Sequence, residues 1–392
     1  AYEPAVDSMR KKSFKNGEEY KTTFWTERLE WSKNAGISYW KMDGGGDEKA
    51  YKMITNLAEK VAPQLIMEHG NASKDGPFNG YPGSGVVDSG YVHAGKRMLQ
   101  YSEVMRLHDH SPQLGIATML DRISSILAMD KLKSTKTGYL NCEDEVYIAA
   151  VLGGTMGIMR SPMVGLRPGD DPDIYLKGPR QIKRRMDEVV RAVRWERIAP
   201  AFGANKLETH VDTKILTDTY KFPAGEFWTS CDDWDATYKS VNKIVNQSAP
   251  ARVSRGISLP TVKCTDEPPF VIASRNPNGA ISIGTLGRID ATKGYFFPKA
   301  DVALDVNHNT GKIGIFGFYK SLTLTFEKPL QKPQIWAQDL TGDYAIDITT
   351  RVDQKGSSII IPCELIERIG LLNATNGDLS DPAIVLDIRD SK

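Results

Sequence analysis

The sequence is poor in cysteine, with four in 392 residues (Cys142, Cys231, Cys264 and Cys363), and no two of them form a CxxC pair. That spacing gives neither a zinc site nor a dense disulfide framework, and it leaves the compartment open. Long apolar runs are also missing: the longest, such as residues 147–153 and 359–361, fall far short of the roughly 20 residues a membrane-spanning helix needs, so no membrane span is expected. There is little net charge, 50 basic against 49 acidic residues for a formal +1, so no bulk field draws the chain to nucleic acid or an anionic surface. No repeat at solenoid periods occurs. Residues 1–16 show neither an initiator Met nor an apolar signal core nor an amphipathic targeting helix, as expected of a processed or truncated start.

What is present is an ordinary globular composition, 40% apolar and 25% charged, long enough for two domains or for one barrel with an appendage. Residues 1–200 alternate helical patterns with short apolar runs, which is how βα units of a parallel sheet read. Helices are expected over 22–35, 48–62, 116–129 and 143–152, and strands over 37–42, 64–67, 102–107, 139–141 and 155–159. A basic amphipathic helix over 180–197 closes this part, its charges expected to form a solvated face. Residues 201–267 are polar and proline-punctuated and read as a connection. Residues 268–392 hold short alternating runs between turn signals, the pattern of an antiparallel β-sandwich.

In a βα barrel the side chains at the carboxyl ends of several strands converge on one mouth. That rule selects Asp43, which follows the first strand, with Lys41 on the same side of the chain by period two. It also selects Glu68 and Asp109, the latter three residues beyond Arg106 and flanked by His108 and His110. Adjacent residues of an extended chain face opposite ways, so 108–110 cannot readily close on one ion, and no metal is expected there. Two carboxylates facing one mouth suit glycoside hydrolysis, and Trp40, Tyr39 and Tyr81 suit stacking on sugar faces. For Trp25 and Trp31 plain packing is the better expectation. The run Gly169-Asp170-Asp171-Pro172-Asp173 reads as a polar loop, Asp43 before glycine would also suit a turn, and Asn71 and Asn373 begin glycosylation-type triplets.

Tyr39-Trp40-Lys41-Met42-Asp43 resembles the nucleophile strand of the glycoside hydrolase clan that contains the α-galactosidases and α-N-acetylgalactosaminidases. Arg106-Leu107-His108-Asp109 resembles that clan's acid/base segment, Met67-Glu68-His69-Gly70 sits where the clan places a sugar-contacting strand end, and residues 149–159 are similar to the helix, glycine turn and strand that close those barrels. The resemblance implies the later part of a (β/α)8 TIM barrel followed by a β-sandwich. It implies Asp43 as nucleophile, Asp109 as general acid/base, and Lys41, Trp40, Glu68, Arg106 and His108 as substrate-binding residues. The reaction would be a retaining double displacement on an oligo- or polysaccharide, with no metal or organic cofactor, in a secreted or periplasmic enzyme. Five strand candidates precede the closing helix where such a barrel has eight. The early strands are therefore expected from a preceding segment or another chain. The alternative is a non-catalytic carbohydrate-binding or scaffold protein, and a barrel lyase is a third possibility.

Overall fold

The computed structural model describes residues 17–42, 48–69, 99–100, 102–108, 112–128, 138–143, 145–157, 185–222, 243–306 and 311–390. Helix α1 (Gly17–Asn34) carries Glu18 and Glu19 in its first turn and Lys33 in its last, charges that complement the helix dipole. It stops at Gly36, which takes a left-handed φ of 70°. Strand β1 (Tyr39–Met42) follows, then α2 (Glu48–Val61), β2 (Ile66–His69), β3 (Val104–His108), α3 (Pro112–Leu127), β4 (Tyr139–Glu143), α4 (Val146–Leu152) and β5 (Thr155–Gly157). The five strands form one parallel sheet in sequential order, β1-β2-β3-β4-β5.

Period two divides the side chains of this sheet. Trp40, Met42, Leu65 and Met67 join Leu29, Ile54 and Ala58 of α1 and α2 in one apolar cluster, so this face of the sheet lies against helices. Among the described residues the sheet does not close into a barrel, and β1 pairs with β2 only. The fold class that stands is mixed α/β with several sheets. Among the described residues no helix is long and apolar enough to cross a membrane.

Helix α5 (Met186–Ile198) leads into strands β6 (Thr209–Val211), β7 (Ile215–Phe222), β8 (Lys243–Pro250), β9 (Arg252–Arg255) and β10 (Thr261–Lys263). The stretch expected to be a connection thus supplies a β7-β8 hairpin, and its strands β6, β9 and β10 join larger sheets. Their sequences are polar because β10 is an edge strand and β6 another, each with little apolar surface to hide. Beyond them run β11 (Phe270–Arg275), β12 (Ile281–Leu286), β13 (Arg288–Asp290), β14 (Gly294–Phe296), β15 (Asp301–Asp305), β16 (Lys312–Phe316), β17 (Ser321–Thr325), β18 (Pro333–Asp339), β19 (Ala345–Asp347), β20 (Asp353–Lys355), β21 (Ser358–Pro362), helix α6 (Cys363–Gly370) and β22 (Ala383–Asp390).

An eight-stranded sheet, β19-β18-β22-β16-β12-β11-β9-β6, and a five-stranded sheet, β10-β15-β17-β21-β20, share one apolar cluster that includes Ile283, Ile315 and Leu386 from the first and Leu304, Leu324 and Ile361 from the second. The expectation of antiparallel pairing needs correction: β9-β11, β12-β16 and β15-β17 are parallel. Alternation in a sequence marks a strand but does not name its partner.

The other face of the eight-stranded sheet is buried too. Phe270, Ile272, Phe316 and Val385 belong to the cluster that contains α3, α4 and α5. This explains why all six residues of β12 are buried, a pattern usual for strands covered on both faces. All seven residues of α4 are buried as well. The end of α4 is fastened from the sheet: the Ser282 hydroxyl donates to the Val151 carbonyl at 2.8 Å, Ser274 donates to the same oxygen, and Arg255 Nη1 donates to the Leu152 carbonyl at 2.5 Å. Gly153 turns the chain with a φ of 67°, and a Cβ there would strike the Phe202 ring.

The charges of α5 are only in part a solvated face: Arg197 is exposed and Arg194 and Glu196 are half-buried. Arg191, Glu188 and Arg185, which precedes the helix, are at most 1% exposed. Arg185 Nε donates to Glu188 Oε1 at 3.0 Å, and Arg191 donates to Asp339 Oδ1 at 3.3 Å and to the Asp381 carbonyl at 3.1 Å. A helical stripe of Arg and Glu reads the same whether it meets water or an oppositely charged partner distant in sequence. The Asn373 triplet is similarly committed: its side-chain amide donates to Asp339 and the Thr375 hydroxyl donates to Asp187.

Candidate active site

The parallel sheet has a second face, and the polar side chains of its strands gather there. Register pairs Tyr39 with Ile66 and Lys41 with Glu68, then Glu68 with Val104, Arg106 with Asn141, and Asn141 with Thr155. In a parallel ladder such partners share a face, so Tyr39, Lys41, Glu68, Asn141 and Thr155 lie opposite the helix-covered side. Lys41 is exposed, while Glu68 is 2% exposed and sits in the third position of β2. The strand runs two residues further than its apolar run indicates, which puts Glu68 inside the ladder and not beyond it.

Glu68 is held from both sides. The Tyr39 hydroxyl of β1 donates to its Oε2, and Asn141 Nδ2 of β4 donates to the same oxygen at 2.7 Å, reaching across β3. Two donors from flanking strands fix a buried carboxylate far more firmly than one flexible partner does. The ladder below is completed by Glu103, whose Oε2 accepts from the Met67 backbone amide at 2.8 Å where β2 has no opposite residue on β3. His69 points the other way, its Nε2 2.8 Å from the Thr55 hydroxyl and its ring edge-on to Tyr51. It is a packed histidine of the helix side.

Several sequence-predicted residues can now be placed. Lys41 and Glu68 are brought together as register partners. Trp40 is not beside them: alternation turns it to the helix side, where its ring meets Trp25 with centroids 6.2 Å apart, so its expected sugar-stacking role is replaced by packing. Trp25 packs as expected, whereas Trp31 is 63% exposed. The backbone of Arg106 occupies the position opposite Asn141. His108 stands opposite Cys142 and not Glu143, because a bulge between Arg106 and His108 adds a residue to β3. Asp43 and Asp109, the expected nucleophile and acid/base, lie outside the described residues, as do Tyr81, Asp170, Asp171 and Asp173.

Sequence reasoning missed Asn141 and Thr155. Tyr139-Leu140-Asn141 reads as a weak strand, and the only available signal was that Asn is disfavoured in a strand unless its amide has a partner. Among the described residues no group of histidines, cysteines and acids is placed to hold a metal ion. Of the acids in the parallel half, Asp121 on α3 is displaced in its titration: burial pushes its carboxyl up to about 7, partly offset by the charge of Arg122. It lies on a helix, away from the Glu68 face. No family model matches the sequence, and no curated protein is significantly similar to it.

Proposed function

We propose that the protein is a retaining α-glycoside hydrolase of the α-galactosidase-like clan, with Asp43 as nucleophile and Asp109 as acid/base. The observation that carries this reading is the polar face of the parallel sheet, on which Lys41 and a clamped Glu68 stand in register at the carboxyl ends of neighbouring strands. Active sites of barrel enzymes form at that end, from residues of different strands. The aromatic-Lys-x-Asp segment begins on the first of these strands, β1, and the Arg-x-x-Asp segment begins on β3, which pairs with β2.

In the mechanism, Asp43 attacks the anomeric carbon while Asp109 protonates the leaving oxygen, giving a glycosyl ester. Water, deprotonated by Asp109, then opens the ester with overall retention. Lys41 supplies positive charge beside the nucleophile, and Glu68 holds a sugar hydroxyl from its fixed position. The reaction needs no metal or organic cofactor. The substrate is an oligo- or polysaccharide with a terminal α-linked sugar, and we place the enzyme outside the cytoplasm, secreted or periplasmic. The finer architecture belongs to the proposal as well: a (β/α)8 barrel whose early strands come from a preceding segment or another chain and pair beside β1, followed by a β-sandwich.

The test is a screen of nitrophenyl α-glycosides with the full chain, Asp43→Ala and Asp109→Ala. Each variant should lose at least about 10³-fold in turnover while keeping its fold, and azide should rescue Asp43→Ala. Undiminished turnover by Asp43→Ala would remove the nucleophile assignment. Binding of sugar with no turnover by the unmodified chain would favour a carbohydrate-binding protein.

A further inference from the structure

We infer that the polar face carries a hydroxyl-reading shelf, formed by Asn141 and Thr155 beside Glu68, which takes a neutral pyranose and rejects the corresponding uronate. The inference rests on the glycosidase reading for the kind of ligand, and on the geometry of three strands for its chemistry.

A carboxylate can only accept hydrogen bonds. The bond to Glu68 therefore fixes the Asn141 amide, with Nδ2 toward Glu68 and Oδ1 directed away. Asn141 is 3% exposed, and its Oδ1 has no hydrogen-bond partner among the described residues. Thr155 is the register partner of Asn141 on β5, and its hydroxyl is likewise buried and without a partner among the described residues. An orphaned buried polar atom costs about 1–3 kcal/mol, and roughly nine in ten such groups in folded proteins are paired. Two orphans side by side on one sheet face, next to a clamped carboxylate, mark a place that a ligand completes.

The chemistry of that ligand follows from the atoms. Asn141 Oδ1 accepts only, and the Thr155 hydroxyl both accepts and donates. Neighbouring strands lie about 4.8 Å apart, so the two groups can reach adjacent hydroxyls of one ring. A sugar carboxylate has no proton to give Asn141 Oδ1 and would leave that acceptor unpaired, where a neutral hydroxyl donates to it. The shelf thus selects uncharged pyranoses.

The experiment is calorimetric titration of the full chain with galactose, glucose and mannose and with the matching uronates, repeated on Thr155→Val and Thr155→Ser. At least one neutral sugar should bind saturably, its uronate at least about 10-fold more weakly. Thr155→Val should weaken the neutral sugar by about 3- to 10-fold and Thr155→Ser should restore it, because one hydrogen bond is at stake. Equal affinity for sugar and uronate, or unchanged binding by Thr155→Val, overturns the shelf. If Thr155→Val does not fold, the sugar and uronate comparison on the unmodified chain decides alone. Turnover of nitrophenyl glycosides, measured in parallel, separates the two ideas. Turnover without the expected discrimination removes the shelf and leaves the hydrolase. Discrimination without turnover keeps the shelf in a non-catalytic binder, and absence of both removes both.

Discussion

Two groups of buried carboxylates in this molecule are built to opposite ends. At the junction of α5 with the eight-stranded sheet, Glu188 and Asp339 are paired with arginines. Glu188 accepts from Arg185 and from the Asp381 amide, and Asp339 accepts from Arg191, from the Thr341 amide and from Asn373. On the parallel sheet, the donors described for Glu68 converge on one oxygen, and the neighbouring Asn141 Oδ1 and Thr155 hydroxyl have no partner among the described residues. The first arrangement pairs each acid with an arginine and fastens helix to sheet. The second holds one group still and keeps its neighbours' bonding capacity for something else. Burial alone therefore does not tell a latch from a site; the described donors differ, arginines in the first and the neutral Tyr39 and Asn141 in the second.

The contrast can be broken at either end. The largest effect is expected from Arg191→Ala, which leaves Asp339 buried without its cation and should cost about 3–5 kcal/mol in urea unfolding. A loss below about 1 kcal/mol would show that the latch does not hold the two layers. Asp121→Asn tests a buried acid whose desolvation outweighs its neighbouring charge. Its folded pKa of about 7 lies above its ordinary value of 3.8, so its contribution to stability is fully present below about pH 4 and lost as pH rises through 7. The variant should gain up to about 4 kcal/mol at pH 8 and nothing at pH 4, flattening the profile of unfolding free energy. Parallel profiles for the two proteins would contradict the burial argument.

Glu68→Gln should lose about 1–2 kcal/mol of stability, less than the latch variant, while sugar binding falls by at least about 10-fold. If its stability loss equals that of Arg191→Ala and binding is unaffected, Glu68 is structural and the contrast collapses. Tyr39→Phe removes one donor of the clamp and should cost about 0.5–1.5 kcal/mol, visible in a melt and small in binding.

Much of the fold could be read in advance where the pattern is local. The helix over 48–61 and the strands over 270–275, 281–286 and 321–325 fall where apolar periodicity and turn residues place them. What could not be read was partnership. The polar strands β6 and β10 look like loops until their sheets are known, and parallel ladders such as β12-β16 leave no trace in either strand alone. The candidate site divides in the same way. Lys41 and Glu68 stand at strand ends that a short apolar run announces. Asn141 matters because a carboxylate two strands away needs its amide, a relation between residues 73 apart in the chain. Trp40 was misplaced by its chemistry, since an aromatic beside a catalytic-type segment invites a binding role while alternation assigns it to the core.

Helix α4 has a bearing on how the chain can be divided. It lies between the parallel strands and the eight-stranded sheet, entirely buried, with the carbonyls of its final turn occupied by Ser274, Ser282 and Arg255. A fragment cut after Pro200 would bare the outward side of that helix and leave those oxygens to water. The complementary fragment would show the apolar side of β11 and β12. Neither piece is a self-sufficient module, and recombinant expression of the two halves apart should give aggregates that become soluble only when both are produced together.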